Sequence, residues 1–410
     1  MKVCMLAYTY YENDNRVRRY ADTLMRRGDT VDVISLRRED QIGHEEINGV
    51  RVYRIQSREV NEKGKLSYLY RIAKFLIRSS VFLTRRHLKE PYDLIHVHSV
   101  PDFEVFAALI PKLKGAKVIL DIHDLVPELY CSKFFKDHSS LIYEALALLE
   151  KYSASFADHV IASNHIWYKR LLERSVTENN SSVILNYPDN SIFYRRTNHR
   201  DDGKSIMIYP GTLNWHQGLD VAIKSFDKIR EKAPGAEFHI YGDGPSKPAL
   251  ANLIRELSLE ERVLLNGMQP LDKMADIMSR ADIGIVPKRN NSFGGEAFST
   301  KILEFMSLGI PVIVSRTKID NYYFNDCVVK FFRSEDEADL AEKMIALIKD
   351  RQERERLVPN ASRFLEDYTW ENKQHLYLDL VDRLVQGRPS SRNRKEYNQD
   401  STVKPVSRCA

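Results

Sequence analysis

Cysteine is scarce in this chain and follows no recognisable pattern. Four cysteines are spread over 410 residues, at positions 4, 131, 327 and 409, with no Cys-x-x-Cys pair and no cysteine–histidine group at metal-ligand spacing. These absences argue against a zinc site of the usual kind. We therefore expect reduced thiols in a cytosolic protein.

Long hydrophobic runs are also missing. No apolar stretch reaches the roughly 18 residues needed to span a bilayer. The first residues, "MKVCMLAYTY", lack the apolar core and cleavage site of a signal peptide. The sequence therefore predicts a cytoplasmic protein, and any membrane contact, for example at the inner face of the membrane, must be peripheral.

The charge balance is only slightly one-sided. The net charge is +5, with 43% hydrophobic and 29% charged residues, which is typical of a soluble globular protein. This excess favours anionic partners without distinguishing nucleotides from membrane phosphates. The arginine pairs are dispersed and lack interleaved aromatic residues, so we expect no nucleic-acid surface.

Short apolar, β-branched runs alternate with amphipathic segments such as 15–27 and 139–156. Runs without strict alternation suit strands that are buried on both faces of a parallel sheet. The pattern predicts an α/β fold of two doubly wound Rossmann-like domains, whose ligands bind beyond the carboxyl ends of the strands. The predicted strands are 2–8, 30–36, 93–99, 117–123, 158–163 and 182–187, then 205–211, 237–244, 262–267, 282–287, 311–315 and 327–332.

The domain boundaries follow from breaks in this pattern. We expect an N-terminal domain (1–190), a linker (191–204) and a C-terminal domain (205–368). A helix (369–386) is expected to return to the N-terminal domain, before a basic, disordered tail (387–410). A ligand clamped between the two domains is the natural geometry for such a chain.

The stretch "GGEAFSTKILEFMSLGIPVIVS", residues 294–315, carries the strongest chemical signal. It predicts a loop, a helix start and a core-facing helix that ends at Gly309. A helix N-terminus can bind phosphate, Lys301 adds a charge, and Glu296 and Glu304 could accept hydrogen bonds from sugar hydroxyls. The alternative is that Glu296 is a solvated loop residue and Glu304 an ordinary first-turn acid.

This stretch resembles the Glu-x7-Glu signature of retaining glycosyltransferases of the large family-4 class, which have the GT-B fold. Further similarity covers roughly residues 1–385, in the expected order. It is carried by "NDNRVRRYADTLMRRGDTVDVIS" (13–35), "DLIHVHS" (93–99), "DIHDLVPE" (121–128), "YPGTLNWHQGLDVAIKSF" (209–226), "FHIYGDGP" (238–245), "LLNGMQPLDKMADIMSRADIGIVP" (264–287) and "GIPVIVS" (309–315).

The resemblance implies that the N-terminal domain (1–190) lies on the acceptor side and that the C-terminal domain (205–368) binds the nucleotide sugar. It also implies a role for each matching residue. Glu304 would bind the donor ribose, and Glu296 would hold the hydroxyls of the transferred sugar. His123 would face the donor sugar and its leaving phosphate; the alternative is a satisfied histidine at a strand end. The remaining implied sites are the backbone amides of Phe298, Ser299, Thr300 and Lys301 for the diphosphate, Met268, Gln269, Val286 and Pro287 around the base, Gly211 and Arg289 in the donor site, and Asn13, Asp14, Arg16 and His98 on the acceptor or phosphate side.

Two departures from the family concern the diphosphate. Members commonly carry an Arg and a Lys where this chain has Thr212 and Gln217. The glycine pair after the first strand is replaced by "YYENDNRV" (10–17). Hydrogen bonds to charged groups contribute about 1.5–3 kcal/mol each, so other cations should replace the missing ones. Our hypothesis is that Lys301 does so, helped by Arg16, His216 or Arg289.

No Asp-x-Asp occurs in the chain, so we expect no metal and no cofactor other than the nucleotide-sugar co-substrate. The resemblance implies a metal-independent transferase that moves a hexosyl or N-acetylhexosaminyl group with retention. The donor would be UDP-linked and the acceptor a glycan or a polyprenyl-linked sugar, in surface polysaccharide synthesis. Two alternatives remain: a sugar-nucleotide epimerase or hydrolase, and a catalytically silent homologue that acts as a binding partner.

The segment "KGKLSYLYRIAKFLIRSSVFLTRRHLK" (63–89) combines apolar and basic residues on a predicted helix. Such a helix suits an interface with anionic lipids, and it could bring the acceptor site to a membrane. The alternative is a long domain helix that packs on the sheet and has a solvated outer face.

Overall fold

The computed structural model describes residues 1–57, 65–134, 140–196, 200, 202–291 and 293–387. The chain forms two compact units. The first contains Met1–Asn186 and the C-terminal helix from Gln374 onward, and the second contains Tyr187–Lys373. Each unit is built on its own sheet.

The first unit alternates strands and helices along the chain. Its elements are β1 (Lys2–Ala7), α1 (Asn15–Arg27), β2 (Thr30–Arg37), β3 (His44–Ile47), β4 (Val50–Ser57), α2 (Lys65–Lys89), β5 (Leu94–His98), α3 (Leu109–Leu113), β6 (Lys117–Ile122), α4 (Val126–Phe134), α5 (Leu141–Phe156), β7 (His159–Ala162), α6 (His165–Arg174) and β8 (Ser181–Val183).

The eight strands of this sheet lie in the order β3-β4-β2-β1-β5-β6-β7-β8. All neighbours are parallel except β3, which pairs antiparallel with β4. The central strands are buried along nearly their whole length, as expected of a sheet covered on both faces. The sheet places the carboxyl ends of β1, β5 and β6 side by side.

The antiparallel hairpin of β3 and β4 was absent from the sequence expectation. Strand β3 reads "HEEI" and is mostly exposed, so it lacks the apolar run by which the other strands were predicted. Asn48 and Gly49 connect the two strands with positive φ angles of 52° and 81°. An Asn-Gly pair with this geometry is the strongest short-range hairpin signal.

The second unit repeats the alternation. Its elements are β9 (Ser205–Pro210), α7 (Leu219–Asp227), β10 (Ala236–Tyr241), α8 (Lys247–Glu256), β11 (Val263–Asn266), α9 (Leu271–Ser279), β12 (Ile283–Val286), α10 (Thr300–Leu308), β13 (Val312–Ser315), α11 (Lys318–Tyr323), β14 (Lys330–Phe332), α12 (Glu337–Lys349), α13 (Arg351–Leu365) and α14 (Trp370–Gln386), whose later part belongs to the first unit.

The six strands of the second sheet are all parallel, in the order β11-β10-β9-β12-β13-β14. Its core lies between this sheet and the helices, around large buried side chains such as Tyr209, Phe226 and Phe238. From β9, the strands β10 and β11 extend the sheet to one side, and the strands β12, β13 and β14 extend it to the other. The loops after β9 and β12 therefore leave the sheet from neighbouring strands. Such a switch point is where open α/β sheets bind ligands.

Each predicted strand run overlaps an observed strand, and the predicted fold of two doubly wound α/β domains is confirmed. The run 182–187 pairs only over Ser181–Val183. The described part of the predicted linker, 191–204, contains no helix or strand. Of the predicted tail, 387–410, and of the predicted segment 63–89, residues 388–410 and 63–64 lie outside the described residues.

Two further expectations can be compared with the structure. Cys4 and Cys131 are buried free thiols, but Cys327 is disulfide-bonded, so the expectation of four reduced thiols is wrong at Cys327. Spacing along the chain does not reveal which thiols fold within bonding distance. Among the described residues, no helix combines the length and the apolar character that crossing a bilayer requires.

Candidate active site

Helix α10 forms as the sequence predicts. The loop after β12 ends at Ser299, the helix runs from Thr300 to Leu308, and Gly309 ends it in a left-handed conformation with φ of 73°. Its apolar residues, including Ile302 and Phe305, are buried against the core. Ser299 is the N-cap residue, but its side chain accepts no cap hydrogen bond, so the first amides of α10 are not satisfied by it.

The two carboxylates of this segment are neither a solvated loop acid nor a first-turn acid, which was the alternative considered from the sequence. Glu296 is only 4% exposed and forms a 2.8 Å ion pair with Lys318, so it is not a solvated loop residue. Glu304 is half-buried in the second turn of α10, and the first turn contains no acid. Both groups therefore have surroundings that a surface carboxylate would lack.

Lys301 lies directly over the end of strand β9. A Cβ atom on Gly211 would come within 2.4 Å of Lys301 Cε and 2.9 Å of its Nζ, and Gly211 has a φ of 142° that favours glycine. The ammonium also lies 5.4 Å from the centre of the Tyr209 ring. Among the described residues, no carboxylate forms an ion pair with Lys301.

Burial is the main influence on the Lys301 ammonium. It lowers the pKa of Lys301, Lys288 lowers it further, and Glu304 opposes the change. A partly desolvated cation without a paired carboxylate would gain more from an anionic ligand than a fully hydrated one. The structure therefore brings together Gly211, Lys301 and the start of α10.

The charge of Arg289, by contrast, is already paired. Its guanidinium donates to both oxygens of Asp220 at 2.9 and 2.7 Å and lies 3.0 Å from Glu335. It also stacks 4.5 Å from the ring of Trp215. Arg289 thus organises the loop after β12.

Other predicted donor-site residues occupy varied surroundings. The Pro287 carbonyl lies against Gly218, where a Cβ atom would come within 2.1 Å of the oxygen. The ring of Phe298 packs edge-on against Tyr323, with centroids 4.8 Å apart, so its side chain is structural. Met268 is exposed and contributes nothing to the core. The ring of His216 packs against Phe293.

A second cluster of charged residues lies in the first unit, centred on Asp121. Arg16 donates to both of its oxygens, at 2.7 and 2.8 Å, and both side chains are buried. His98 Nδ1 and His123 Nε2 lie 3.3 and 3.2 Å from Asp121 Oδ2. Burial alone would raise the pKa of Asp121, but Arg16 and His123 hold it well below its usual value.

Neighbouring residues complete this cluster. His96 Nδ1 contacts the Tyr377 hydroxyl at 2.9 Å, and the His96 and His98 rings are 4.1 Å apart. Burial, followed by its histidine neighbour, lowers the pKa of His96 well below normal. His123 is the member with an appreciably exposed side chain. Because its Nε2 faces Asp121, its Nδ1 is the nitrogen left for a ligand.

The cluster also has ligand types suited to a metal. His96, His98 and Asp121 have candidate ligand atoms within 4.8 Å of one another. However, Arg16 occupies both oxygens of Asp121, and a divalent cation there would lie next to a guanidinium. The donor set therefore fits a charge-neutral hydrogen-bonded cluster better than a metal site.

The predicted residues at the start of α1 have local roles as well. Asp14 is the N-cap of α1 and accepts hydrogen bonds from the amides of Arg16 and Val17. Asn13 ends a short 3-10 turn just before it. This capping fixes Arg16 in the first turn, from which its side chain reaches Asp121.

Sequence reasoning missed several members of these sites, namely Asp121, Lys318 and Tyr377. Asp121 could have been found, because it lies near the end of β6, two residues before His123, and His98 is its register partner on β5. Lys318 and Tyr377 are separated from their partners by loops and helices, and no local signal indicates these contacts.

Comparison with known proteins assigns both parts of the chain to a class of enzyme. A family model described as "Glycosyl transferase 4-like domain" matches residues 14–186, and one described as "Glycosyl transferases group 1" matches residues 190–364. The chain consists of two glycosyltransferase domains. The first match contains the Asp121 cluster, and the second contains α10 and its two carboxylates.

Two curated relatives of this glycosyltransferase illustrate the similarity. It is 25% identical over 328 residues to the phosphatidylinositol N-acetylglucosaminyltransferase gpi3 subunit of Schizosaccharomyces pombe, covering 79% of this chain and 66% of that one, just under two thirds of its length. It is 27% identical over 287 residues to the O-antigen biosynthesis glycosyltransferase WclY of Escherichia coli, covering 65% and 76%.

Solved structures show the same architecture. Sucrose-phosphate synthase of Thermosynechococcus elongatus matches with a TM-score of 0.78 at 17% identity, over 95% of this chain and all of that one. HepE of Anabaena in complex with UDP-glucose matches with a TM-score of 0.68 at 16% identity, over 92% and 99%. At these identities the likeness establishes the GT-B fold.

Proposed function

We propose that this glycosyltransferase moves a hexosyl or N-acetylhexosaminyl group from a UDP-linked donor to a glycan or polyprenyl-linked acceptor in surface polysaccharide synthesis. Retention of the anomeric configuration is part of the proposal, by resemblance to the family-4 class. UDP is favoured because HepE, which shares the fold, binds UDP-glucose.

The observation that carries this proposal is the position of Lys301. Its ammonium lies against Gly211 at the end of β9, on the first turn of α10, without a paired carboxylate among the described residues. A helix N-terminus together with a desolvated cation forms a site for a diphosphate. Glu296 and Glu304 lie on either side of it in sequence and would accept hydrogen bonds from sugar and ribose hydroxyls.

Of the cations suggested to replace the missing Arg and Lys, Lys301 is therefore the strongest candidate. Arg16 and Arg289 each have their charge neutralised by carboxylates within hydrogen-bonding distance. Donating to a phosphate would require either of them to release an existing ion pair. Lys301 would release none.

The proposed mechanism relies on stabilisation of the leaving group. As the bond between the anomeric carbon and the diphosphate oxygen breaks, negative charge develops on that oxygen. Lys301 and the first amides of α10 would stabilise this charge without a metal ion, and the acceptor hydroxyl would attack from the same face. His123 would hold a hydroxyl of the donor sugar through Nδ1, its ring fixed by Asp121.

The proposed acceptor places the enzyme near a membrane. Peripheral contact through the segment 63–89 belongs to the same proposal, because the described part of that segment, α2, is basic and amphipathic. Activity is expected to persist in EDTA, since the proposed charge stabilisation comes from side chains and amides.

A thermal-shift screen tests the donor site. The protein and its Glu304→Gln variant would be heated with UDP-, GDP- and TDP-sugars in turn. We expect a UDP-sugar to raise the melting temperature of the wild type. The variant should need about tenfold more ligand for the same shift, because it loses a charged hydrogen-bond acceptor.

Glu260→Gln is the matched control, since Glu260 is exposed in a turn of the same unit. That variant should respond to the donor like the wild type. No shift with any nucleotide sugar would favour the catalytically silent homologue. Turnover of the donor without an acceptor, at the rate seen with one, would favour an epimerase or hydrolase.

A further inference from the structure

Three helices on one side of the first sheet carry exposed apolar side chains. Helices α2 and α3 contact each other, and the short 3-10 helix of residues 102–108 packs against both α2 and α5. Helices α2, α3 and α5 are therefore neighbours on a common face of the unit, with the 3-10 helix between them. Of these helices, only α2 has a basic, amphipathic pattern that is evident from the sequence.

The outward stripe of α2 is apolar as well as basic. Its inner side, with Phe75 and Leu83, is fully buried against the domain. Tyr70, Ile77 and Leu88 recur at a spacing of seven and eleven residues on the opposite side and are all more than half exposed. Helix α2 is a packed domain helix, as one alternative predicted, but its outer face is not the polar surface that solvent would favour. The contact with anionic lipids stays a prediction.

Helices α3 and α5 extend this apolar surface. Leu113 at the end of α3 is 75% exposed. Leu141 at the start of α5 is 89% exposed, and Leu148 lies two turns further along the same side of the helix and is also exposed. Single exposed apolar residues are ordinary, but several on adjacent helices mark an interaction surface.

The charge on this face indicates its partner. Between residues 65 and 89, in α2, there are seven Lys or Arg residues and no Asp or Glu, whereas α5 has one exposed acid, Glu144, between Leu141 and Leu148. Lys74 and Arg85 lie near the outward stripe, with long side chains that can place an apolar stem in an interface and an ammonium or guanidinium above it. A second copy of this chain would bring like charges together, whereas an anionic bilayer would complement them.

We infer that α2, α3 and α5 together form a membrane-docking face that inserts Ile77, Leu113, Leu141 and Leu148 among the acyl chains of an anionic leaflet. The docking face itself does not depend on the proposed function. Only its role, which is to bring a lipid-linked acceptor within reach of the enzyme, rests on that proposal. It assigns α3 and α5 a role that the basic pattern of α2 alone does not suggest.

Vesicle flotation with the full chain tests this face. Vesicles would contain phosphatidylcholine with about 30% phosphatidylglycerol, or phosphatidylcholine alone. We expect binding to the anionic vesicles that weakens with salt. The double variant Ile77→Asp/Leu148→Asp should lose about tenfold or more in the bound fraction, because each carboxylate opposes insertion and repels the anionic surface.

Ile42→Asp is the matched control. Ile42 is 63% exposed, nearly the same as Ile77 at 64%, but it lies in the loop before β3, outside the three helices. It should float like the wild type. Lys74→Glu/Arg85→Glu should weaken binding to anionic vesicles without changing the melting temperature by more than the Ile42→Asp control does.

The donor thermal shift separates this inference from the proposed function. A variant that no longer floats but still responds to the nucleotide sugar supports the docking face whatever the donor proves to be. The inference is overturned if the wild type does not float, if Ile77→Asp/Leu148→Asp floats equally well, or if light scattering shows that these substitutions instead dissociate a dimer.

Discussion

The cluster around Asp121 and the segment around Lys301 differ in whether their charges are paired within the protein. In the first, Arg16 and Asp121 neutralise each other inside the domain, and both are almost inaccessible. In the second, Lys301 is partly desolvated but has no paired carboxylate in the described part of the chain. The charges of the first cluster are balanced within the fold, whereas our proposal is that a bound diphosphate balances the charge of Lys301.

Under the proposed function, this difference separates a structural charge pair from a cation that binds a ligand. A buried pair is strongly destabilised when one partner is removed, because the other is left as an uncompensated charge. An unpaired cation at a helix start contributes little to the fold, and its loss should mainly affect the affinity for an anion. Substitutions in the two units can therefore test the comparison directly.

The largest effect is expected from Arg16→Met. The carboxylate of Asp121 would remain buried without its main counter-charge, which should lower the free energy of unfolding by about 3–5 kcal/mol. Urea denaturation, followed by fluorescence, would measure the change. Adding Asp121→Asn to Arg16→Met should restore part of the loss, because the uncompensated charge is then gone.

Arg280→Met provides the control for Arg16→Met. Arg280 and Asp276 form an exposed pair on one helix, and such pairs contribute less than about 1 kcal/mol. If Arg16→Met were no more harmful than Arg280→Met, the Asp121 charge would have to be balanced by the histidines instead.

The next largest effect is expected from Lys301→Ala. Loss of a charged donor to the diphosphate should weaken donor binding by about 1.5–3 kcal/mol, or roughly tenfold to a hundredfold. Calorimetric titration with the UDP-sugar would measure it. The unfolding free energy should hardly change, because Lys301 has no ion pair among the described residues.

Lys232→Ala is the control here, since Lys232 is an exposed lysine of the same unit. It should leave both affinity and stability at the wild-type values. Unchanged donor affinity in Lys301→Ala would remove Lys301 from the diphosphate site and transfer the role to another cation.

Glu104→Gln tests a buried acid of the first unit that, unlike Asp121, has no counter-charge in the described part of the molecule. Neither carboxylate oxygen of Glu104 has a hydrogen-bond partner among the described residues. Burial raises its pKa to about 8, and the nearby Ser79 hydroxyl opposes this only in part. Because the folded state keeps this proton while the unfolded chain releases it, stability should fall as the pH rises from about 4.5 to 8.

The variant should therefore be more stable than the wild type at pH 8 by roughly 1–3 kcal/mol, and the difference should shrink towards pH 5. Denaturation at several pH values would show it. A difference that stays constant with pH would mean that Glu104 finds a cation in solution.

The smallest effect is expected from Lys318→Ala. The Lys318 side chain is largely exposed although its partner Glu296 is buried, so its removal should cost less than about 1 kcal/mol of stability. Thermal unfolding would measure this. A loss as large as that of Arg16→Met would place the Glu296 pair with the structural charges of the molecule.

The elements that were predictable from the sequence are those with a local signal. Apolar runs located the strands of both sheets, except β3 and β4, because parallel strands are buried on both faces. The sequence around α10 was equally informative, since Gly309 marks its end and the apolar residues mark its buried side. The polar edge strand β3 gave no such signal, although the Asn48–Gly49 turn did.

The ion pairs of the sites were largely beyond the sequence. Arg16 and Asp121 are 105 residues apart, and only the sheet order brings Asp121 within reach of the Arg16 side chain. The paired state of Arg289 likewise depends on Asp220, which follows a different strand. The sequence identifies which residues could bind a diphosphate, but not which of them already have a counter-charge.

Helix α14 has a consequence for how the chain reaches its native state. Tyr377, Leu380 and Val381 of this helix are fully buried in the first unit, where the Tyr377 hydroxyl contacts His96. The ribosome synthesises residues 1–186 long before these three side chains exist. Until residues 377–381 have been synthesised, the nascent first domain must therefore leave part of its interior uncovered, as a surface that a chaperone could recognise.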